Sequence, residues 1–148
     1  GDTHKKLVYI KGELKEVKNY PPLIEKGVVS IMIAHIAVEN ETSFNTKGMP
    51  ASISKEIVTD LLRDSLQFEG LIVTDAMNML GVSNIAGANV KAIDAGVDIL
   101  LMPLNAAKAH QEILEKYKTD TLFKAKVDLA CKRIIRAKLC TEGDLFPE

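Results

Sequence analysis

The stretch Leu71-Ile72-Val73-Thr74-Asp75 decides how this chain folds. Aliphatic and β-branched residues follow Gly70 without a break, and a carboxylate closes the run. A strand with one wet face alternates apolar and polar residues, whereas a continuous run marks a strand covered on both faces. Two further segments repeat the pattern. Val28-Val29-Ser30-Ile31-Met32-Ile33-Ala34 follows Gly27, and Asp98-Ile99-Leu100-Leu101-Met102 is stopped by Pro103.

Working outward, the segments between these runs have helical spacing. Pro21-Pro22 opens a short helix through Leu23, Ile24, Glu25 and Lys26. Ile57, Val58, Leu61, Leu62 and Leu66 give an apolar stripe reaching Phe68, with Ser54 as N-cap and Glu56 suited to the helix dipole. Val90 to Ala95 reads as a short helix closed by Gly96. Ala106 to Tyr117 and Leu122 to Leu139 are helical. In the latter, Val127, Ala130, Cys131, Ile134 and Ile135 form the buried face, with lysines and arginines, including Lys132-Arg133, on the solvated side.

Three segments stand outside this rhythm. Leu7, Val8, Tyr9 and Ile10 are the early apolar cluster. Val38 to Pro50 is a polar loop, long enough to be functional or mobile. Thr141 to Glu148 is a polar tail expected to fray. Strands alternating with helices mean parallel β/α units. The fold class is therefore α/β, with about three parallel strands and flanking helices over residues 1–140 and a tail over 141–148. A closed eight-stranded barrel takes about 250 residues, so a chain of 148 residues is too short to be one.

Composition excludes several function classes. The chain is 47% hydrophobic and 26% charged, and its 19 basic and 20 acidic residues leave a net charge of −1. That balance argues against nucleic acid or an anionic membrane as partner. No apolar run reaches the roughly 18–20 residues of a membrane span. Cys131 and Cys140 lie on one helix, about 13 Å apart at roughly 1.5 Å per residue, too far for a disulfide. The opening Gly1-Asp2-Thr3-His4, with no initiator Met and no signal-peptide pattern, suggests a processed or excised piece.

In parallel β/α folds, ligands collect at the carboxyl ends of the strands. His35, Asp75 and Asn105 sit there. Asp75 has no charged neighbour and precedes Ala76-Met77-Asn78-Met79, a setting that suits a nucleophile or general base. It suits a helix N-cap equally well. His35 reads either as a proton-transfer or substrate-contact group or as a satisfied strand-end histidine. Asp2 and His4 form an Asp-x-His pair whose carboxylate can orient the imidazole; at a chain terminus they also read as two solvated residues. His110 is a surface residue. Met77, Met79 and Met102 have the spacing of core filler. No metal-ligand spacing, Walker motif or dinucleotide loop occurs, so neither metal nor cofactor is expected.

Taken in order, Pro50-Ala51-Ser52-Ile53-Ser54, Val58-Thr59-Asp60-Leu61-Leu62-Arg63 and Phe68-Glu69-Gly70-Leu71-Ile72-Val73-Thr74-Asp75-Ala76-Met77-Asn78-Met79 closely resemble glycoside hydrolase family 3. Ala95-Gly96-Val97-Asp98-Ile99-Leu100-Leu101-Met102-Pro103 is similar to that family's final barrel strand, and Ile33-Ala34-His35 to the end of its sixth. The resemblance implies a partial TIM barrel, strands six to eight, with Asp75 as catalytic nucleophile. Asp2-Thr3-His4-Lys5 resembles the Asp-Ser-His-Lys signature of the β-N-acetylglucosaminidase branch, with Thr for Ser. It implies His4 as acid/base, supported by Asp2, and puts His35 and Met79 forward for substrate contact.

The implied reaction is retaining hydrolysis of a terminal β-linked N-acetylhexosamine through a glycosyl-Asp75 intermediate. The implied setting is a bacterial enzyme of cell-wall amino sugars, in the cytoplasm or periplasm. A family 3 β-glucosidase or xylosidase is the enzyme alternative. A non-catalytic remnant that oligomerises through open sheet edges is the other. The family's Lys-His-x-Pro-Gly-His-Gly motif and the earlier strands with their substrate-binding Asp and Arg have no counterpart here. Because positioning can supply about 7–11 kcal/mol of a barrier, the chain by itself is expected to be inactive or nearly so. Its uncovered barrel-interior face leads to the expectation of a dimer or higher assembly.

Overall fold

The computed structural model describes residues 2, 4–39 and 44–145, the last five of these as backbone only. Four parallel strands form two pairs: β1 (Val8–Lys11) with β3 (Ile36–Glu39), and β2 (Ser30–Ile33) with β4 (Leu71–Thr74). The registers align Val8 with Ile36 and Ser30 with Leu71. The helices are α1 (Tyr20–Glu25), a wide helix at Glu56–Ser65, α2 (Leu80–Ser83), α3 (Ala88–Ala95), α4 (Ala106–Thr119) and α5 (Thr121–Leu145). Strands and helices alternate as the apolar runs require, and the sheet does not close. This is a partial barrel.

The pleat explains which face is covered. Along β2 and β4, Ile31, Ile33, Ile72 and Thr74 are buried. The three isoleucines face the wide helix and α3, meeting Ile57, Val58, Leu61, Leu62, Ala92 and Ala95 in one core. Burying a side chain such as Ile72 stabilises the fold by about 1.5–3 kcal/mol. Met32, on the alternate face, stays 54% exposed. The two strand pairs do not hydrogen-bond to each other. An apolar cavity of about 270 Å³, lined by Ile10, Leu14, Ile33, Ile36, Leu62 and Leu66, lies between them.

Several expectations need correction. The early apolar cluster is a strand, because the chain continues past His35 as β3 and gives it a partner. The polar loop therefore begins later than Val38; its residues 40–43 lie outside the described ones, and Thr46 folds back to accept from and donate to the Val38 backbone. Ser54 stands where the helix starts, its carbonyl accepting from Val58 N–H, but its hydroxyl caps no N–H of the first turn and donates to Glu56 instead (2.7 Å). The helix that follows is wider than the α form, as Leu66 N–H donates to Leu61 O, five residues back. The third run makes a single parallel bridge, Val73 with Ile99, rather than a full strand.

On α5, Ala130 is buried, whereas Cys131 is exposed and Ile135 is 57% exposed. Arg133 turns inward to Asp98. Val127 and Ile134 are half-buried beside Ala130, so the expected stripe holds along its centre, and its edge passes from Cys131 and Ile135 to Phe123 and Arg133. Residues 141–145 continue the helix instead of fraying, and 146–148 lie outside the described residues.

Candidate functional site

The carboxyl end of β4 is fixed by three backbone contacts. Asp75 N–H donates to Ile33 O (2.9 Å), Met77 N–H to Leu101 O (2.8 Å), and Thr74 N–H to Ile99 O (3.0 Å). Alternation along the strand puts Asp75 on the side of Val73, away from the helical core. Its Oδ1 accepts from the adjacent Ala76 N–H at 2.8 Å. Oδ2 has no partner among the described residues. Asp75 is not an N-cap: α2 begins at Leu80 and follows Met79. A half-buried carboxylate with one oxygen tethered and one uncommitted, on the uncovered face of a sheet, has the form of a nucleophile or base.

Asp2 and His4 are paired. His4 Nδ1–H donates to Asp2 Oδ1 at 3.0 Å, and the His4 backbone N–H reaches the same oxygen at 3.1 Å. These bonds, the side-chain one foremost, hold the Asp2 carboxyl below the usual carboxylate range. The His4 side chain is 78% exposed, and its Nε2 has no partner among the described residues. The carbonyl of His4 accepts from Leu80 N–H at 3.4 Å, which ties this pair to the segment just after Asp75.

His35 lies behind the site rather than on its surface. It is fully buried, with Nδ1 2.6 Å from Ser52 Oγ and Nε2 3.0 Å from the Ala76 carbonyl. Burial pushes its pKa down, against the opposing pull of the Ala76 carbonyl and the Asp75 charge. Met79 is also buried, with Met77. Met102 is 59% exposed and has a left-handed backbone (φ 46°), so it is no core filler. Asn105 is a helix cap: its Oδ1 accepts from Lys108 N–H at 2.9 Å on α4. His110 is exposed. No group of three or more metal-ligating side chains occurs among the described residues.

Sequence reasoning passed over Ser52 and Asp98. Asp98 is buried at the other end of the sheet, where Oδ2 accepts from Ile72 N–H (2.8 Å) and Arg63 Nη2 (2.6 Å), and Oδ1 from Arg133 Nη1 (3.0 Å). An acidic residue opening an apolar run was the available signal, because such a group is buried only when paired.

Parallel strands alternating with covering helices are the repeating unit of β/α barrel domains. Residues 1–137 match the Glycosyl hydrolase family 3 N terminal domain, and the chain belongs to that family. It is 43% identical over 84 residues to Beta-hexosaminidase A of Pseudoalteromonas piscicida, covering 50% of this chain and 14% of that protein. A Beta-N-acetylglucosaminidase/beta-glucosidase of Cellulomonas fimi is 27% identical over 80% of this chain and 23% of its own length. Among solved structures, Beta-glucoside phosphorylase BglX superposes with a TM-score of 0.85 at 26% identity, covering 99% of this chain and 29% of that one. The chain thus spans well under half of these relatives. No helix among the described residues is long and apolar enough to cross a membrane.

Proposed function

We propose that this chain carries the reaction centre of a retaining β-N-acetylhexosaminidase, with Asp75 as nucleophile and His4 as acid/base. Asp75 Oδ2 would attack the anomeric carbon while His4 Nε2–H protonates the departing glycosidic oxygen, giving a glycosyl-Asp75 ester. The neutral imidazole then takes a proton from water, whose oxygen attacks the same carbon and releases Asp75. Asp2 holds the imidazole by Nδ1–H, the orienting role of a carboxylate behind a catalytic histidine.

The observation that carries this reading is the Leu80 N–H to His4 carbonyl bond at 3.4 Å, which sets the dyad beside the segment that follows Asp75. An Asp-x-His pair with no such contact would read as solvated surface. The hexosaminidase names among the relatives agree with the dyad. Substrate subsites from other parts of a longer protein would supply most of the sugar binding.

The test is turnover of aryl β-N-acetylglucosaminide and aryl β-glucoside by the full-length protein. The N-acetylated substrate should be preferred, and Asp75→Asn should lower kcat by on the order of 10⁴-fold. A clear preference for the glucoside would favour the glucosidase alternative. Unchanged turnover in Asp75→Asn would remove Asp75 from the mechanism.

A further inference from the structure

We propose that the buried Ser52–His35 pair is a positioning device that fixes the Asp75 carboxylate through the main chain of Ala76; this rests on Asp75 being the nucleophile. The Ala76 carbonyl can only accept, so His35 Nε2, 3.0 Å away, carries the ring proton. Nδ1 of the neutral ring then accepts from the Ser52 hydroxyl at 2.6 Å. Burial favours that neutral form. Ser52 is itself fully buried, so its hydroxyl meets Nδ1 without competition from solvent, while the Ala76 carbonyl fixes the tautomer.

Ala76 is the link. Its carbonyl is held by His35, and its N–H donates to Asp75 Oδ1 at 2.8 Å. The flanking N–H groups of Asp75 and Met77 are taken up by Ile33 and Leu101. Rotation about the Ala76 backbone is the freedom through which the carboxylate tether could be lost, and the imidazole opposes it. His35 touches no reacting atom. It acts at one remove, and a misplacement of about 1 Å at a reacting group can cost on the order of 10²-fold in rate.

Three variants of the full-length protein test the idea: His35→Phe, which removes both polar ring atoms; His35→Gln, whose amide offers one acceptor and one donor at nearly the ring-nitrogen spacing; and Ser52→Ala. His35→Phe should lower kcat by roughly 10- to 100-fold with KM little changed. His35→Gln should restore most of that loss, and Ser52→Ala should fall between. In ¹⁵N NMR of the unsubstituted protein, His35 should show a protonated Nε2 and a bare Nδ1. A protonated Nδ1, or equal kcat losses in His35→Phe and His35→Gln, would overturn the proposal.

Amide hydrogen exchange separates this idea from the glycosidase reading. Whether or not either substrate is turned over, the Ala76 N–H should exchange at least tenfold faster in Ser52→Ala than in the unsubstituted protein, with Ile72 N–H unaffected. Equal Ala76 exchange in the two proteins would defeat the positioning role. Should His35→Phe fail to fold, the His35→Gln and Ser52→Ala comparisons carry the same readouts.

Discussion

The charge state of Glu56 is coupled to stability. The Ser54 hydroxyl, its own backbone N–H and then Lys47 stabilise its carboxylate, lowering its pKa from 4.5 to about 2. A depressed pKa means stability that is present above about pH 4.5 and is lost as pH falls toward 2. The side chain is 26% exposed, so solvent screening trims the effect. Urea denaturation at pH 6 and pH 3 should show Glu56→Gln losing about 1 kcal/mol less on acidification than the unsubstituted chain; parallel losses would refute it. The value of Glu56 was legible from its place in a first helical turn, although the partner turned out to be a hydroxyl and not a cap. The strand-end place of Asp75 was legible for a similar reason, as a lone carboxylate after an apolar run. The Ser52–His35 contact was not. Seventeen residues separate the partners, and neither type nor spacing singles out a serine that meets a histidine only after folding.

Among the elements, β4 is pinned at both ends, and the end away from Asp75 depends on a buried ion cluster. The Asp98 side chain has no exposure, Arg63 is 11% exposed and Arg133 29%. Together they join the wide helix, α5 and the backbone of Ile72. Removing the carboxylate strands Arg63 in the interior. Asp98→Ala should therefore cost about 3–5 kcal/mol, and Arg133→Ala distinctly less because its guanidinium can reach water. Urea denaturation measures both, and a cost below about 1 kcal/mol for Asp98→Ala would contradict the account. This cluster also explains why the helix-face reading of α5 slipped. Hydrophobicity alone assigned Arg133 to the solvated side, whereas a charge with a buried partner can face inward. The third strand slipped for a complementary reason. Asp98 to Met102 has a strand's composition, yet Leu101 N–H donates to the Thr74 hydroxyl instead of a backbone carbonyl, and the ladder goes no further than the Val73–Ile99 bridge.

For the whole molecule, alternation of apolar runs and helical stripes was enough to reach parallel β/α units, the resemblance to glycoside hydrolase family 3 added the partial barrel, and a partial barrel is what folds. The pairing of β1 with β3 was hidden because it joins a short terminal cluster to a segment that reads as loop, and pairing across such a distance leaves no local pattern. The same architecture has a consequence for association. Helices cover one face of the β2–β4 sheet, while Met32 is 54% and Met102 59% exposed on or beside the other, and Leu104 beyond them is 73% exposed. The Ile99 line of the sheet also keeps a free edge among the described residues. Apolar surface and an unpaired edge together favour burial against another chain. The 148-residue chain on its own should therefore sediment as a dimer or larger, in a concentration-dependent manner. Met32→Lys with Met102→Lys should shift it toward monomer while leaving the circular dichroism spectrum intact, since both side chains lie outside the core. A single monomeric boundary for the unsubstituted chain at all concentrations would show that the open face is tolerated in water, and the covering argument would fail.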